Sequence, residues 1–182
     1  DNKWGEAYAE YALVSESALA PKPKKLPIVE SAALPLAGLT AYEGLTVHGK
    51  LKSGDSIFIN GASGGVGIFA VQIAKAQGVH ITATCGTSNV DFVKSFGIDR
   101  VIDYKKENLF ADGDQYSCIY DAVGTLKYAQ IKRFLKPGGR FVTTLPSLGV
   151  LLSMALQFLP GKRGIFFTVQ PNGARLAELV SL

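Results

Sequence analysis

The chain has 182 residues, 47% hydrophobic and 19% charged, and its 19 Lys and Arg against 15 Asp and Glu give a formal charge of +4. This balance excludes a disordered chain and supplies apolar mass for one sizeable core without demanding two full domains. The basic residues are scattered, Cys85 and Cys118 lie far apart, and His48 and His80 have no ligand-spaced companions. A nucleic-acid stripe, a disulfide framework and a metal site are therefore not expected, and the cysteines read as buried free thiols.

In chain order, Gly5–Val14 mixes aromatic and small residues with strand-type alternation. Ala20–Pro27 interleaves Pro21, Pro23 and Pro27 with Lys22, Lys24 and Lys25, an exposed connector that divides a segment 1–25 from a domain 26–182. Ile28–His48 reads as helix, restarting at Pro35, with an apolar face of Leu36, Leu39, Ala41, Tyr42, Leu45 and Val47. Strand-type runs then alternate with helix-type runs. The strands are Ser56–Asn60, Val79–Thr84, Arg100–Asp103, Cys118–Val123, Arg140–Leu145 and Gly164–Val169. The helices are Gly65–Gln77, Asn89–Phe96, Leu126–Leu135 and Arg175–Leu182, with a turn at Lys136–Gly139. The helix from Gly65 is apolar nearly all round and is expected to be largely buried. Such alternation predicts an α/β fold, a doubly wound parallel sheet with helices on both faces. The apolar stretch Gly149–Leu159 is short of the ~20 residues that a bilayer span needs, and Pro160 follows it. The chain starts on Asp1 without a signal-peptide pattern and reads as a fragment or processed product. It is expected to be soluble, and its compartment, cytoplasmic or organellar, stays open.

The most informative stretch is Asn60-Gly61-Ala62-Ser63-Gly64-Gly65-Val66-Gly67, between a buried strand and a helix. In that context glycines let the backbone turn sharply and approach a pyrophosphate, while the helix start presents free N–H groups and a positive dipole end. The spacing Ala62-x-Gly64-x-x-Gly67 matches the dinucleotide pattern, with Ala62 in the first glycine's place. An NAD site usually places Asp or Glu about 20 residues further on, where it accepts from the ribose 2′-hydroxyl. Here no acidic residue stands between Gly67 and Asp91. Thr87, Ser88 and Asn89 instead offer groups that donate to a 2′-phosphate, which favours NADPH, or else serve only as helix caps.

Several words of the sequence occur in the same order in a known family. They are Gly5–Tyr11, Leu36–Leu45, Asn60–Gly67, Phe69–Lys75, Asp99–Tyr104, Tyr120–Gly124 and Leu135–Arg140. Through them nearly the whole chain resembles the quinone oxidoreductase branch, zeta-crystallin-like and zinc-independent, of the medium-chain dehydrogenase/reductase superfamily. The resemblance implies a Rossmann fold, with a remnant strand of a GroES-like catalytic domain in residues 1–25. Residues 26–182 then form the NAD(P)-binding domain, truncated at its C-terminus, because family members are roughly twice as long. It implies an NADPH-dependent enzyme that reduces quinones or α,β-unsaturated carbonyls. Carried over by position, Ser63, Gly64, Gly65 and Val66 meet the pyrophosphate. Thr87, Ser88 and Asn89 meet the 2′-phosphate side, with Tyr104 nearby. Val123 and Gly124 follow the adenine or ribose path. Leu145, Pro146 and Ser147 lie near the nicotinamide, which Thr40 approaches from the helix before the sheet. Ser88 departs from the family pattern, which has Lys or Arg there. The resemblance also implies a homodimer paired through the 164–169 strand.

No residue is forced as proton donor. Tyr42 and Tyr104 qualify chemically, but a tyrosine in such a place is commonly a packed residue with its hydroxyl bonded. Two rival readings stay open at this point. Leu135–Arg140 also occurs in methyltransferases, although the acidic residue that family wants after its second strand is missing. A nucleotide-binding half without turnover, acting as a redox sensor or interaction module, is the other. Cofactor choice separates the first rival and turnover the second.

Overall fold

A computed structural model describes residues 9–111, 113–156 and 160–182. Its centre is a six-stranded, wholly parallel sheet of β1 (Ser56–Asn60), β2 (His80–Cys85), β3 (Arg100–Asp103), β4 (Tyr116–Asp121), β5 (Leu135–Thr143) and β6 (Arg163–Phe166). The spatial order is β3-β2-β1-β4-β5-β6. The chain thus starts at the middle of the sheet, builds outward to one edge, then returns to build outward to the other. This is the doubly wound Rossmann arrangement expected from the alternation.

The central strands are apolar on both faces because helices cover both. Alternate residues of β1 point opposite ways: Ile57 and Ile59 join one core, Phe58 the other. The first core packs under α3 (Gly65–Ala76), which buries Gly67, Ala70, Val71, Ile73 and Ala74. Val66, Ile68 and Phe69 are only half-buried, so one flank of this apolar helix is less covered than its composition suggests. The second core gathers Ile119, Leu135 and Phe141, with Phe58 stacked on Phe110 at 4.6 Å. Cys85 and Cys118 are free and buried, and burial pushes the Cys118 thiol up to about 12, which makes it unreactive.

Several elements differ from expectation. Of Gly5–Val14, residues 5–8 lie outside the described residues, and 9–14 form no strand. Tyr11 and Leu13 there are 91% and 96% exposed. A strand needs a neighbour to take its N–H and C=O groups, and no described strand runs beside this one. The 28–48 helix is divided into α1 (Ile28–Ser31) and α2 (Leu39–Tyr42), the latter flanked by the wider π turns Leu34–Gly38 and Glu43–His48. The first wide turn contains Pro35, which has no N–H, and is followed in α2 by Thr40, while the second contains Thr46. The two threonine hydroxyls donate to the carbonyls of Leu36 and Tyr42, four residues back. The 3-10 turn Thr87–Asn89 leads into α4 (Val90–Lys94).

In the second half of the chain, the expected helix at Leu126–Leu135 contracts to α5 (Tyr128–Ile131) and a 3-10 turn, and Leu135 joins β5. The strand expected at Cys118–Val123 starts earlier, at Tyr116, and ends at Asp121, whose carboxylate turns the chain out of the sheet. α6 (Leu148–Ala155) was not anticipated from the apolar run in which it lies. The strand expected over 164–169 stops at Phe166, though the Phe167 N–H still donates to the Thr143 carbonyl at 3.2 Å. α7 (Gly173–Ser181) starts two residues early because the Asn172 side chain accepts from the Arg175 N–H at 2.9 Å, capping it. Among the described residues no helix is long and apolar enough to cross a membrane.

Candidate cofactor site

The strand order reverses between β1 and β4, so the loops leaving their C-terminal ends diverge and open a crevice. The first loop turns on Gly61 at φ +86°, a left-handed conformation, and a Cβ there would come within 2.3 Å of Val123 Cγ2. The tight turn therefore belongs to Gly61, one residue before the position expected from the spacing, where Ala62 is buried. The Asn60-Gly61 pair is the sequence signal that marks it. Gly67 lets α3 sit directly on this loop, since a Cβ at Gly67 would lie 2.1 Å from the Gly61 carbonyl oxygen.

At the start of α3, Gly64 is extended and the first intrahelical bond runs from the Ile68 N–H to its carbonyl. The N–H groups of Gly65, Val66 and Gly67 thus have no acceptor within the helix. Gly64 and Gly65 are exposed, and a Cβ on Gly65 would meet only Ala37 Cβ, at 3.9 Å. Free donors, the positive end of a twelve-residue helix and open space above two glycines fit a pyrophosphate.

Beneath the crevice lies a polar network that the sequence reading missed. The Asn60 amide donates to Asp121 Oδ1 at 2.8 Å and to Thr125 Oγ1 at 3.0 Å. The Thr84 hydroxyl donates to Asn60 Oδ1 at 2.8 Å and accepts from the Gly61 N–H at 3.1 Å. Asp121, fully buried, also accepts from the N–H groups of Val123, Gly124 and Leu126 at 3.1, 2.9 and 2.8 Å. Both loops are thereby tied to the ends of their strands. A polar residue closing each of three apolar runs, at Asn60, Thr84 and Asp121, is the signal that would have found it.

On the β2 side, the Asn89 amide donates to Ser63 Oγ at 3.3 Å, so the two expected groups meet. Ser88 is exposed. Tyr104 is 54% exposed, its hydroxyl bordering Gly86. The structure also brings in a carboxylate from the next strand. Register pairs Cys85 with Asp103. A hydrogen bond from Thr87 is the main cause holding the Asp103 carboxyl below its ordinary value. Asp103 also accepts from the Lys105 N–H at 3.0 Å and pairs with Lys106 at 3.8 Å, so its charge is engaged. This acid does not stand at the end of β2 but arrives from β3 through sheet register.

On the β4–β5 side, Gly124 is left-handed at φ +82° and its Cβ would lie 2.0 Å from Leu145 Cδ1, so these expected neighbours pack together. Pro146 is exposed, and Ser147 caps α6 by accepting from the Val150 N–H at 3.4 Å. Thr40 is buried. Its hydroxyl donates to Leu36, and its carbonyl accepts from the Tyr120 hydroxyl at 3.3 Å. The Tyr42 hydroxyl donates to Glu178 at 2.7 Å, with burial first and then that carboxylate raising its pKa. The His48 ring lies 4.5 Å from that of Phe167, and His80 lies 3.7 Å from Asp99. Among the described residues no three His, Cys, Asp or Glu side chains stand close enough to hold a metal ion.

Comparison with known proteins agrees with this architecture. Residues 65–159 match the family model described as zinc-binding dehydrogenase. The chain is 39% identical to the chloroplastic quinone oxidoreductase QR1 of Triphysaria versicolor over 98% of its own length and 57% of that protein. It is 40% identical to the chloroplastic NADPH-dependent alkenal/one oxidoreductase of Arabidopsis thaliana over 94% of its length and 41% of that protein. The chain thus spans about half the length of the curated relatives it matches. The structure of a quinone oxidoreductase from Coxiella burnetii superposes with a TM-score of 0.73 at 31% identity, covering 88% of this chain and 50% of that one.

Proposed function

Since the chain belongs to the zinc-binding dehydrogenase family, as the nucleotide-binding portion of a quinone-oxidoreductase-like member that takes a nicotinamide cofactor, we propose that it is the cofactor half of an NADPH-dependent, zinc-independent reductase of quinones and α,β-unsaturated carbonyls. The observation that carries this reading is the open cradle over Gly64 and Gly65 at the start of α3, set where the strand order reverses. Family membership removes the methyltransferase reading. Residues 1–25 are then the tail of a GroES-like catalytic domain, and 26–182 the nucleotide-binding domain.

Ser63, Gly64, Gly65 and Val66 hold the pyrophosphate. Thr87, Ser88, Asn89 and Tyr104 bound the 2′-phosphate. Val123 and Gly124 line the adenine or ribose path. Leu145, Pro146 and Ser147 border the nicotinamide, with Thr40 on the helix behind. When bound, the nicotinamide supplies the hydride. The residues of this chain orient it and keep water from one face through Leu145 and Pro146. Tyr42 is committed to Glu178, so no proton step is assigned to it.

Calorimetric titration with NADPH and NADH tests the reading, with tighter NADPH binding as the expected result. Ser88→Arg adds a guanidinium at an exposed position beside this site. It is expected to tighten NADPH about tenfold, the scale of a charged hydrogen bond of about 1.5 kcal/mol, and to leave NADH unchanged. Equal gains for both cofactors would place Ser88 away from the 2′-phosphate and sink the assignment.

The partner reading is a homodimer paired edge to edge through the 164–169 strand. What supports it is that β6 forms an edge of the sheet. Two of its N–H groups are already used, Gly164 donating to Ser153 Oγ at 2.7 Å and Phe166 to Met154 Sδ at 3.4 Å, so pairing must exchange those bonds. A dimer in sedimentation velocity is the expected outcome. A monomer at all concentrations would mean that α6 keeps the edge closed.

A further inference from the structure

The opposite end of the sheet from the cofactor crevice carries a second pocket of 390 Å³, lined by Lys50, Lys52, Lys136 and Arg140 together with Asp55 and Ser117. Four cations face one carboxylate, and that carboxylate is occupied. Asp55 Oδ2 accepts from the Lys52 N–H at 2.9 Å and Oδ1 from the Ser117 hydroxyl at 2.9 Å. Among the described residues none of the four cations forms an ion pair. Arg140 donates to the His48 carbonyl at 3.2 Å and sits in register opposite another cation, Arg163. Like charges placed side by side repel, so the fold concentrates positive potential here without neutralising it.

The backbone at both rims is shaped in ways that an ordinary loop would avoid. Lys50 has φ +52° and is the only non-glycine with positive φ among the described residues. It follows the helical segment 34–48 at a position that glycine or asparagine normally fills. On the other rim the register between β4 and β5 slips. Leu135 pairs with Tyr116 and Arg140 with Cys118, so five steps along β5 (140 − 135) face two along β4 (118 − 116). The extra length is extruded as Lys136–Gly139. It turns on Gly138 at φ +74° and closes on Gly139, whose Cβ would lie 2.9 Å from the Lys136 carbonyl oxygen. A left-handed lysine and a bulged stretch of β5 thus each bring a cation to one pocket. Non-glycine residues held in the left-handed region cluster at functional sites.

We propose that this pocket binds a phosphate group, separately from the nicotinamide cofactor. Lysines act as point charges suited to a dianionic, tetrahedral oxyanion. No aromatic side chain lines the pocket, so a base has nothing to stack on and recognition is confined to the phosphate end of the ligand.

The test is titration of the full chain with inorganic pyrophosphate at fixed ionic strength, followed by amide chemical-shift mapping. Saturable shifts at Lys50, Lys52, Gly138, Gly139 and Arg140 are expected, alongside any at the α3 start, where pyrophosphate mimics the cofactor. The double variant Lys52→Ala, Lys136→Ala should weaken the first set at least tenfold and leave NADPH binding unchanged. Lys50→Gly relieves the left-handed strain, so its melting temperature should hold or rise while pyrophosphate affinity at this pocket falls. That combination excludes a purely structural role for Lys50. Co-sedimentation with phosphatidylglycerol and with phosphatidylcholine vesicles separates a lipid headgroup phosphate from a soluble one, and the double variant should abolish whichever is seen. Shifts confined to the α3 start, or shifts at the second pocket that sodium chloride reproduces, would overturn the proposal.

Discussion

Gly67→Ala is expected to destabilise the domain by about 3 kcal/mol or more and to abolish NADPH binding. The added Cβ would stand 2.1 Å from the Gly61 carbonyl oxygen and 2.8 Å from Ala62 Cα, both backbone atoms. Backbone cannot rotate aside as a side chain can, so the loop or α3 must shift bodily. Overpacking in a tight site costs about 1–3 kcal/mol, and more when the backbone has to move. Gly61 is itself pinned by its N–H bond to Thr84 and by its left-handed turn, so the displacement is resisted from below. Gly65→Ala is the control. Its Cβ enters open space, so stability should be unchanged or slightly raised, whereas cofactor binding falls because the methyl occupies the cradle. Urea unfolding and calorimetry on the pair separate the two effects. A Gly67→Ala chain as stable as the parent would show that α3 is not seated on the loop as described.

Asp121→Asn is expected to cost about 2–3 kcal/mol, and Asp121→Ala more. The carboxylate is fully buried and accepts from four donors: the Asn60 amide and the N–H groups of Val123, Gly124 and Leu126. Hydrogen bonds to a charged group are worth about 1.5–3 kcal/mol each in net terms, and a buried donor left without an acceptor carries its full desolvation penalty. Asparagine keeps the shape but replaces one acceptor oxygen by an NH2 group, which then faces a donor. Alanine leaves all four donors unpaired. Because three of those donors shape the loop that carries Val123 and Gly124, NADPH affinity should fall with stability. Urea midpoints at unchanged slope, read with cofactor titration, provide the check. If Asp121→Asn were as stable as the parent, the network could not be what holds the two loops together.

Much of the architecture was legible in the sequence because it follows from periodicity and from glycine. Ser56–Asn60 and Arg100–Asp103 coincide with the observed strands residue for residue, since short apolar runs bounded by turn residues have few alternatives. The segment 9–14 carries a similar pattern and is not a strand, because pairing depends on a neighbour and not on the run itself. α6 was missed because an apolar stretch has no face to read, and its cap, Ser147, carries the only local start signal. At the site, the glycines were visible and the pattern was off by one, with Gly61 making the turn. Asp103 was invisible for a different reason. It reaches Thr87 through the pairing of β2 with β3, a relation that no spacing within one strand–helix unit encodes.

The bond between Asn60 and Asp121 joins residues 61 apart in sequence and ties the two halves of the sheet at the crevice. Closing so long a loop is entropically costly, and folds built on such distant pairings assemble slowly. The first half of the sheet can in principle form its β1–β2–β3 unit early, but the crevice exists only once β4 has docked on β1. A ligand that needs both loops can therefore recognise only molecules in which that docking has taken place. Bound cofactor would then stabilise those molecules and not chains in which the two halves of the sheet are still apart.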